Sequence, residues 1–155
     1  METVKKIRVG LVGCGDVANQ VYVPNLIASP FVDVVCVCDV VQGHARTTAD
    51  RFGISAWFTD VNDMLDRADF ALLVNTTPAC CHAPISLAGL HSGRHVYSEK
   101  PIATSLVQAA ALIEAARRHG VCLRVGPNVV RSPAFRGFHE AIHSREIGLV
   151  HAAYG

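Results

Sequence analysis

The sequence predicts an α/β domain built on a doubly wound parallel sheet with helices on both faces. Three observations carry that expectation. Short β-branched runs alternate with helix-length segments at the rhythm of βαβ units. Runs such as "VDVVCVCD" and "DFALLVN" have little polar interruption, as strands covered on both faces do. Gly53, Gly93 and Gly120 each close a helical segment, where a left-handed residue ends a helix at least cost.

In order, "IRVGLVG" (Ile7–Gly13) is a buried strand ending in glycine. Asp16 to Ala28 carry Val17, Val21, Leu26 and Ile27 at helical spacing, stopped by Ser29-Pro30. Pro24 lies inside that window and implies a kink or a short second segment. Val32–Asp39 is the second strand, and Val41–Phe52 a helix. "SAWF" is a short strand, after which Asp60 caps "VNDMLD". Asp69–Asn75 is the next strand, Ala83–Ser92 a helix and "HVYS" a strand. Ser105 and Gln108 stand at capping-box spacing before a helix through Arg118. "VCLRV" is a further strand, Ala134–Ser144 the last helix, and "LVHAAYG" the start of another strand.

At 155 residues, half of them hydrophobic and 17% charged, the chain suits one domain with a packed core. A net charge of +1 without a basic block argues against nucleic acid as a partner. No apolar run approaches the roughly 18 residues of a membrane helix, and the opening run lacks a signal-peptide cleavage site. A cytoplasmic protein is expected. Its six cysteines show no CxxC spacing, so they read as reduced thiols acting as small core residues.

The first strand-to-helix turn is Gly13-Cys14-Gly15-Asp16-Val17-Ala18, a GxGxxA. The first glycine permits a tight turn, the second lets a pyrophosphate approach the backbone, and the small third residue lets helix pack on strand. The helix N-terminus then faces the phosphates. Asp39 ends the second strand about 20 residues past Ala18, where a carboxylate accepts the ribose hydroxyls of adenosine and repels a 2′-phosphate. No cation follows in Val40, Val41 or Gln42, so NAD is favoured over NADP, with Arg46 the one nearby cation. A solvated strand-end acid is the plainer alternative for Asp39. In a right-handed parallel sheet "NTTP", "TPACCH" and "SEKP" become neighbours along the edge where ligands bind.

These stretches resemble the glucose–fructose oxidoreductase, inositol dehydrogenase and rhizopine-catabolism (Gfo/Idh/MocA) family. The resemblance rests on "GLVGCGDVA", "CVCDV", "TTPACCHAPISLAGLHSGRHVYSEKPIA" and "VVRSPAFRGFHEAIHSREIGLV", and so covers essentially the whole chain. It implies a Rossmann NAD(P)-binding domain at 1–128. A connector helix and the first strand of a second, α/β substrate domain would follow at 129–155, with the chain truncated before the rest. Gly13 to Ala18 would hold the pyrophosphate and Asp39 the adenosine ribose. Asn75, Thr76, Thr77, Pro78 and His82 would line the cofactor trough, and Glu99 would contact the nicotinamide-side ribose. Lys100 would be the catalytic residue, reaching the reacting hydroxyl, with Asn128 near the nicotinamide. A fixed ammonium there stabilises developing charge on oxygen while hydride leaves. Pro101 fixes the turn, through a cis or a trans bond. The partner would be a sugar, cyclitol or related polyol, and a homo-oligomer is compatible. The family's general base belongs to the second domain, so the chain reads either as half of a dehydrogenase or as a non-catalytic NAD-binding module.

"HEAIH" (His139–His143) spells HExxH, the zinc-protease signature. The longer pattern would need Gly three residues and His six residues after His143, and Glu146 and Leu149 stand there instead. No metal is expected.

Overall fold

The computed structural model describes residues 5–126 and 132–152. Six strands, β1 (Ile7–Val12), β2 (Val32–Cys38), β3 (Ala56–Phe58), β4 (Leu72–Asn75), β5 (His95–Glu99) and β6 (Leu123–Gly126), pair in parallel in the order β3-β2-β1-β4-β5-β6. That is the doubly wound order, with its reversal between β1 and β4. The helices are α1 (Val23–Ala28), α2 (Gln42–Phe52), α3 (Val61–Arg67), α4 (Ala79–His91), α5 (Leu106–His119) and α6 (Pro133–His143). Among the described residues no helix is long and apolar enough to cross a membrane.

Strand alternation divides the core into two layers. Val9 and Leu11 of β1 pack with Val23 of α1 and Ala49 of α2 on one face. Val12, Leu73 and Val96 pack with Met64 of α3, Leu90 of α4 and Leu112 of α5 on the other. Fully burying a side chain such as Leu11, Leu73 or Phe70 contributes about 1.5–3 kcal/mol. In β2 the alternation slips: Val9 pairs with Val34 but Gly10 with Cys36, leaving Val35 as an extra residue in a bulge. Thus Val34 and Val37 face one layer, and Cys36 and Cys38 the other. α4 lies so close to the sheet that a Cβ on Gly89 would sit 2.6 Å from Leu73 Cδ2.

Most boundaries follow local chemistry. Gly53 and Gly120 end α2 and α5 in the left-handed conformation, and Asp60 accepts the N–H groups of Asn62 and Asp63. Ser105 caps α5 by accepting from Gln108 N–H, while Gln108 Oε1 returns to Thr104 N–H instead of to Ser105. Two expectations need correction. α4 begins at Ala79, four residues before Ala83, and carries Pro84 in its interior. β4 begins at Leu72, with Asp69 outside it and ion-paired to Arg8. The break expected at Pro24 is present as a short second segment: Ala18–Tyr22 is a π-helical turn whose wide bond runs from Val23 N–H to Ala18 O, and α1 follows with Pro24 in its first turn. Pro24 has no N–H to return to Gln20, and Asn25 Nδ2 donates to Val21 O at 2.7 Å, one turn back.

Leu149–Ala152 carry no strand pairing, and the rest of "LVHAAYG" lies outside the described residues. α6 buries none of its residues. Its His139 and His143 rings stack at 4.0 Å, with His143 Nδ1 at 3.1 Å from His139 O. The cysteines split evenly. Cys14, Cys36 and Cys38 are core residues, whereas Cys80 and Cys122 are exposed and Cys81 is half-buried, so the all-core reading holds for only three. Burial pushes the Cys14 thiol up to about 11, and those of Cys36 and Cys38 up to about 12.

Candidate functional site

The carboxyl ends of β1, β2, β4 and β5 open on one crevice at the point where strand order reverses. Two turns meet there in backbone contact. Gly13 has φ 95°, and a Cβ on it would lie 2.7–2.9 Å from the backbone of Thr76 and Thr77. Thr76 N–H donates to Val12 O and its hydroxyl to Gly13 O at 2.8 Å, while Gly13 N–H donates to Cys38 O. Glycine is therefore required at 13 twice over, by conformation and by space. At Gly15 the situation is reversed: a Cβ would meet nothing within 4 Å, so the backbone lies open to the crevice.

Asp39 closes the turn from the β2 side. Its Oδ2 accepts Cys14 N–H at 2.8 Å and its Oδ1 accepts Val41 N–H at 2.9 Å, with His44 Nδ1 at 3.6 Å. The carboxylate is thus held by two backbone donors, and the remaining lone pairs can accept from a ligand. A solvated strand-end acid does not describe it, because the side chain is only 13% exposed. Asn19 braces the same turn from behind, donating to Cys14 O at 2.7 Å and Gly15 O at 3.0 Å, and its own Oδ1 accepts from the buried Thr48 hydroxyl.

Between these groups lies a cavity of about 730 Å³, lined by Gly13, Gly15, Val17, Asp39 and Thr76 to Pro78. A second cavity of about 280 Å³ shares Val17, Thr76 and Thr77 with it and reaches His82, Glu99 and Lys100. The glycine turn, the strand-end acid and the Glu-Lys-Pro turn therefore stand along one continuous trough. Cys14 and Asp16 border a third hollow against α2, and Ala18 is buried where helix meets strand.

Asn75 is the exception among the trough residues. Its side chain is fully buried beneath the turn, donating to His82 O and Ser86 Oγ and accepting from Thr77 N–H and Thr77 Oγ1. It shapes the turn without lining the trough. His82 is likewise almost fully buried, but it joins two turns: Nε2 lies 2.7 Å from Thr77 O and Nδ1 2.5 Å from Pro101 O. The Lys100–Pro101 bond is cis. Glu99 does not reach the Lys100 ammonium. Its Oε2 accepts the Lys100 backbone N–H at 2.9 Å and its Oε1 the Tyr22 hydroxyl at 2.5 Å. Among the described residues the exposed Lys100 ammonium makes no ion pair. Asn128 lies outside the described residues. Tyr22, Asn19 and Thr48 were not legible as site residues, because each acts on a partner far along the chain or on backbone atoms that any sequence would supply.

The chain is similar along most of its length to known sugar and cyclitol enzymes. It is 30% identical over 151 residues to a dTDP-3,4-didehydro-2,6-dideoxy-alpha-D-glucose 3-reductase of Streptomyces violaceoruber, covering 97% of this chain and 44% of that protein. It is 29% identical over 117 residues to an inositol 2-dehydrogenase of Salmonella typhimurium, covering 74% of this chain and 34% of that protein. The crystal structure of GenD2 from gentamicin A biosynthesis in complex with NAD superposes with a TM-score of 0.87 at 34% identity, over 94% of this chain and 41% of that one. The chain thus spans less than half the length of the relatives it matches. The match to the family described as "Oxidoreductase family, NAD-binding Rossmann fold" runs over residues 7–127 and so takes in every strand of the sheet. The chain therefore belongs to the Gfo/Idh/MocA oxidoreductase family and carries its NAD-binding Rossmann domain.

Proposed function

We propose that the trough holds NAD from Asp39, past Gly15, to Lys100, and that the protein to which this domain contributes oxidises or reduces a secondary alcohol carbon of a sugar, cyclitol or related polyol. One observation carries the reading: a braced carboxylate, an open glycine backbone and a lysine that has no counter-ion among the described residues lie in that order along one crevice, at the ends of β2, β1 and β5. The residues fit the group. Gly15 leaves a cradle that any side chain would fill, and the helix beginning at Asp16 presents its first N–H groups toward an anion. Asp39 accepts hydroxyl donors of a ribose and repels a phosphate at the same place. NAD, when bound, supplies the hydride acceptor or donor. Lys100 stabilises negative charge on the reacting oxygen, which is worth most in a site closed to water. The proton on that oxygen goes to a base outside the described residues.

Residues 1–128 act in this reading as the nucleotide-binding unit, and 129–155 as a connector to a further domain. α6, which buries none of its apolar residues, supports that division. The similar enzymes act on a deoxysugar nucleotide and on inositol by their names, which supports a polyhydroxylated substrate.

The test is calorimetric titration of the chain with NADH and with NADPH, beside Asp39→Ala. NADH should bind more tightly than NADPH, and the substitution should weaken NADH roughly tenfold, the loss of one charge-assisted hydrogen bond or more, while erasing the preference. Equal binding of both cofactors by the unaltered chain would reject the role given to Asp39.

A further inference from the structure

Resting on the cofactor reading above, we propose that Tyr22 is the positioning residue of the nicotinamide end of the trough: its hydroxyl sets the Glu99 carboxylate, and through it the turn that carries Lys100. The carboxylate is planar and has two oxygens. Lys100 N–H donates to one and Tyr22 O–H to the other, so both its plane and its rotation are fixed by a donor on each side. The donors differ in origin. Lys100 N–H is the next residue along the chain, whereas Tyr22 comes from a different βα unit, 77 residues away. Remove the hydroxyl and, among the described residues, the carboxylate keeps the hydrogen bond to its own turn.

The π-helical turn explains how Tyr22 reaches that position. In an α-helix, residues three apart stack on one face. Asn19 and Tyr22 are three apart, and the wider turn over Ala18–Tyr22 spreads them. Asn19 reaches back to the carbonyls of Cys14 and Gly15, while Tyr22 reaches across the crevice to Glu99. The Tyr22 ring also meets the ring of Tyr97, two residues before Glu99, with centroids 6.1 Å apart. One helical turn therefore grips two turns of the trough: the glycine turn through an amide and the Glu-Lys-Pro turn through a phenol.

Tyr22→Phe in the full chain removes the hydroxyl and keeps the ring. The Lys100 amide, which donates to the other oxygen of the Glu99 carboxylate, should shift in the NMR spectrum and exchange roughly tenfold faster, while the Gly13 amide stays in place. An unmoved Lys100 amide overturns the proposal, and this readout needs no cofactor. In a double-mutant cycle on NADH affinity, Tyr22→Phe should weaken binding roughly five- to tenfold alone and add nothing in a Glu99→Ala background. Losses that add in full would make Tyr22 a packing residue only and also overturn it. Failure of the unaltered chain to bind NADH would reject the cofactor reading, leaving the amide measurement to decide the role of Tyr22.

Discussion

At the turn after β1, backbone meets backbone; at the turn after β5, side chains do the holding. Gly13 lies against Thr76 and Thr77 with no room for a Cβ, and the contact depends on a residue that is absent in the sense of having no side chain. The Glu99–Pro101 turn is gripped instead by Tyr22 from the π-helical turn and by His82 from α4. The first arrangement is rigid but offers little to vary. The second leaves the aim of Lys100 to two side chains, each of which a single substitution can remove without rebuilding the backbone. The fixed contact and the adjustable one thus stand at two points along the same trough.

The sharpest way to break this contrast is Gly13→Ala. The added methyl meets backbone atoms at 2.7–2.9 Å, in a φ region unfavourable to alanine. A loss of about 3 kcal/mol is expected from overpacking and left-handed strain together, read as a fall in the urea midpoint. A midpoint within error of the parent would show that the two turns are free to separate.

His82→Leu probes the other end and should cost less, about 2 kcal/mol, because the carbonyls of Thr77 and Pro101 lose a buried partner while the backbone stays uncrowded. Its distinguishing mark is NMR shift change at both Thr77 and Pro101 neighbours; change confined to α4 would mean that His82 joins nothing.

The smallest effect belongs to a single thiol beneath the crevice, Cys36, and depends on pH. The folded chain raises Cys14 to about 11 and Cys36 and Cys38 to about 12, chiefly through burial, above an ordinary 9.0. The protonated thiol is thus favoured by folding, and above pH 9 the unfolded chain binds fewer protons than the folded one. Stability is unaffected by these groups below pH 9 and falls as pH rises from 9 toward 12. Urea midpoints at pH 8, 9 and 10 should decline, and Cys36→Ala should flatten the decline. An equal slope in the variant would remove Cys36 from the account.

The same contrast explains what could be read from the residues alone. The caps at Asp60 and Ser105 are local, set by neighbours within a few positions, so the pattern states their geometry; the glycine turn and Asp39 were legible from residue type and spacing, but not their partners Thr76 and Cys14 on other units. The Glu-Lys-Pro motif was legible as a site but not the means of aiming it, because Tyr22 and His82 approach from other elements. The family resemblance placed Asn75, the last residue of β4, in the trough, whereas its amide is consumed by Thr77, His82 and Ser86 below the surface. Pro24 marked a real break, the passage from a π-helical turn to the short α1, although its residues do not state the π character.

The bulge in β2 bears on how this strand can change in length. Val35 has no opposite number on β1: the pairing steps from Val34 to Cys36 while β1 advances by one. The strand carries a spare residue, and removing it joins two stretches whose register and facing already agree. A one-residue deletion at this point leaves Asp39 level with the glycine turn, whereas the same deletion between Cys36 and Cys38 forces the bulge to be absorbed first. A single-residue gap at Val35 is therefore silent for Asp39, and an alignment that places the gap there keeps the carboxylates of two chains superposed.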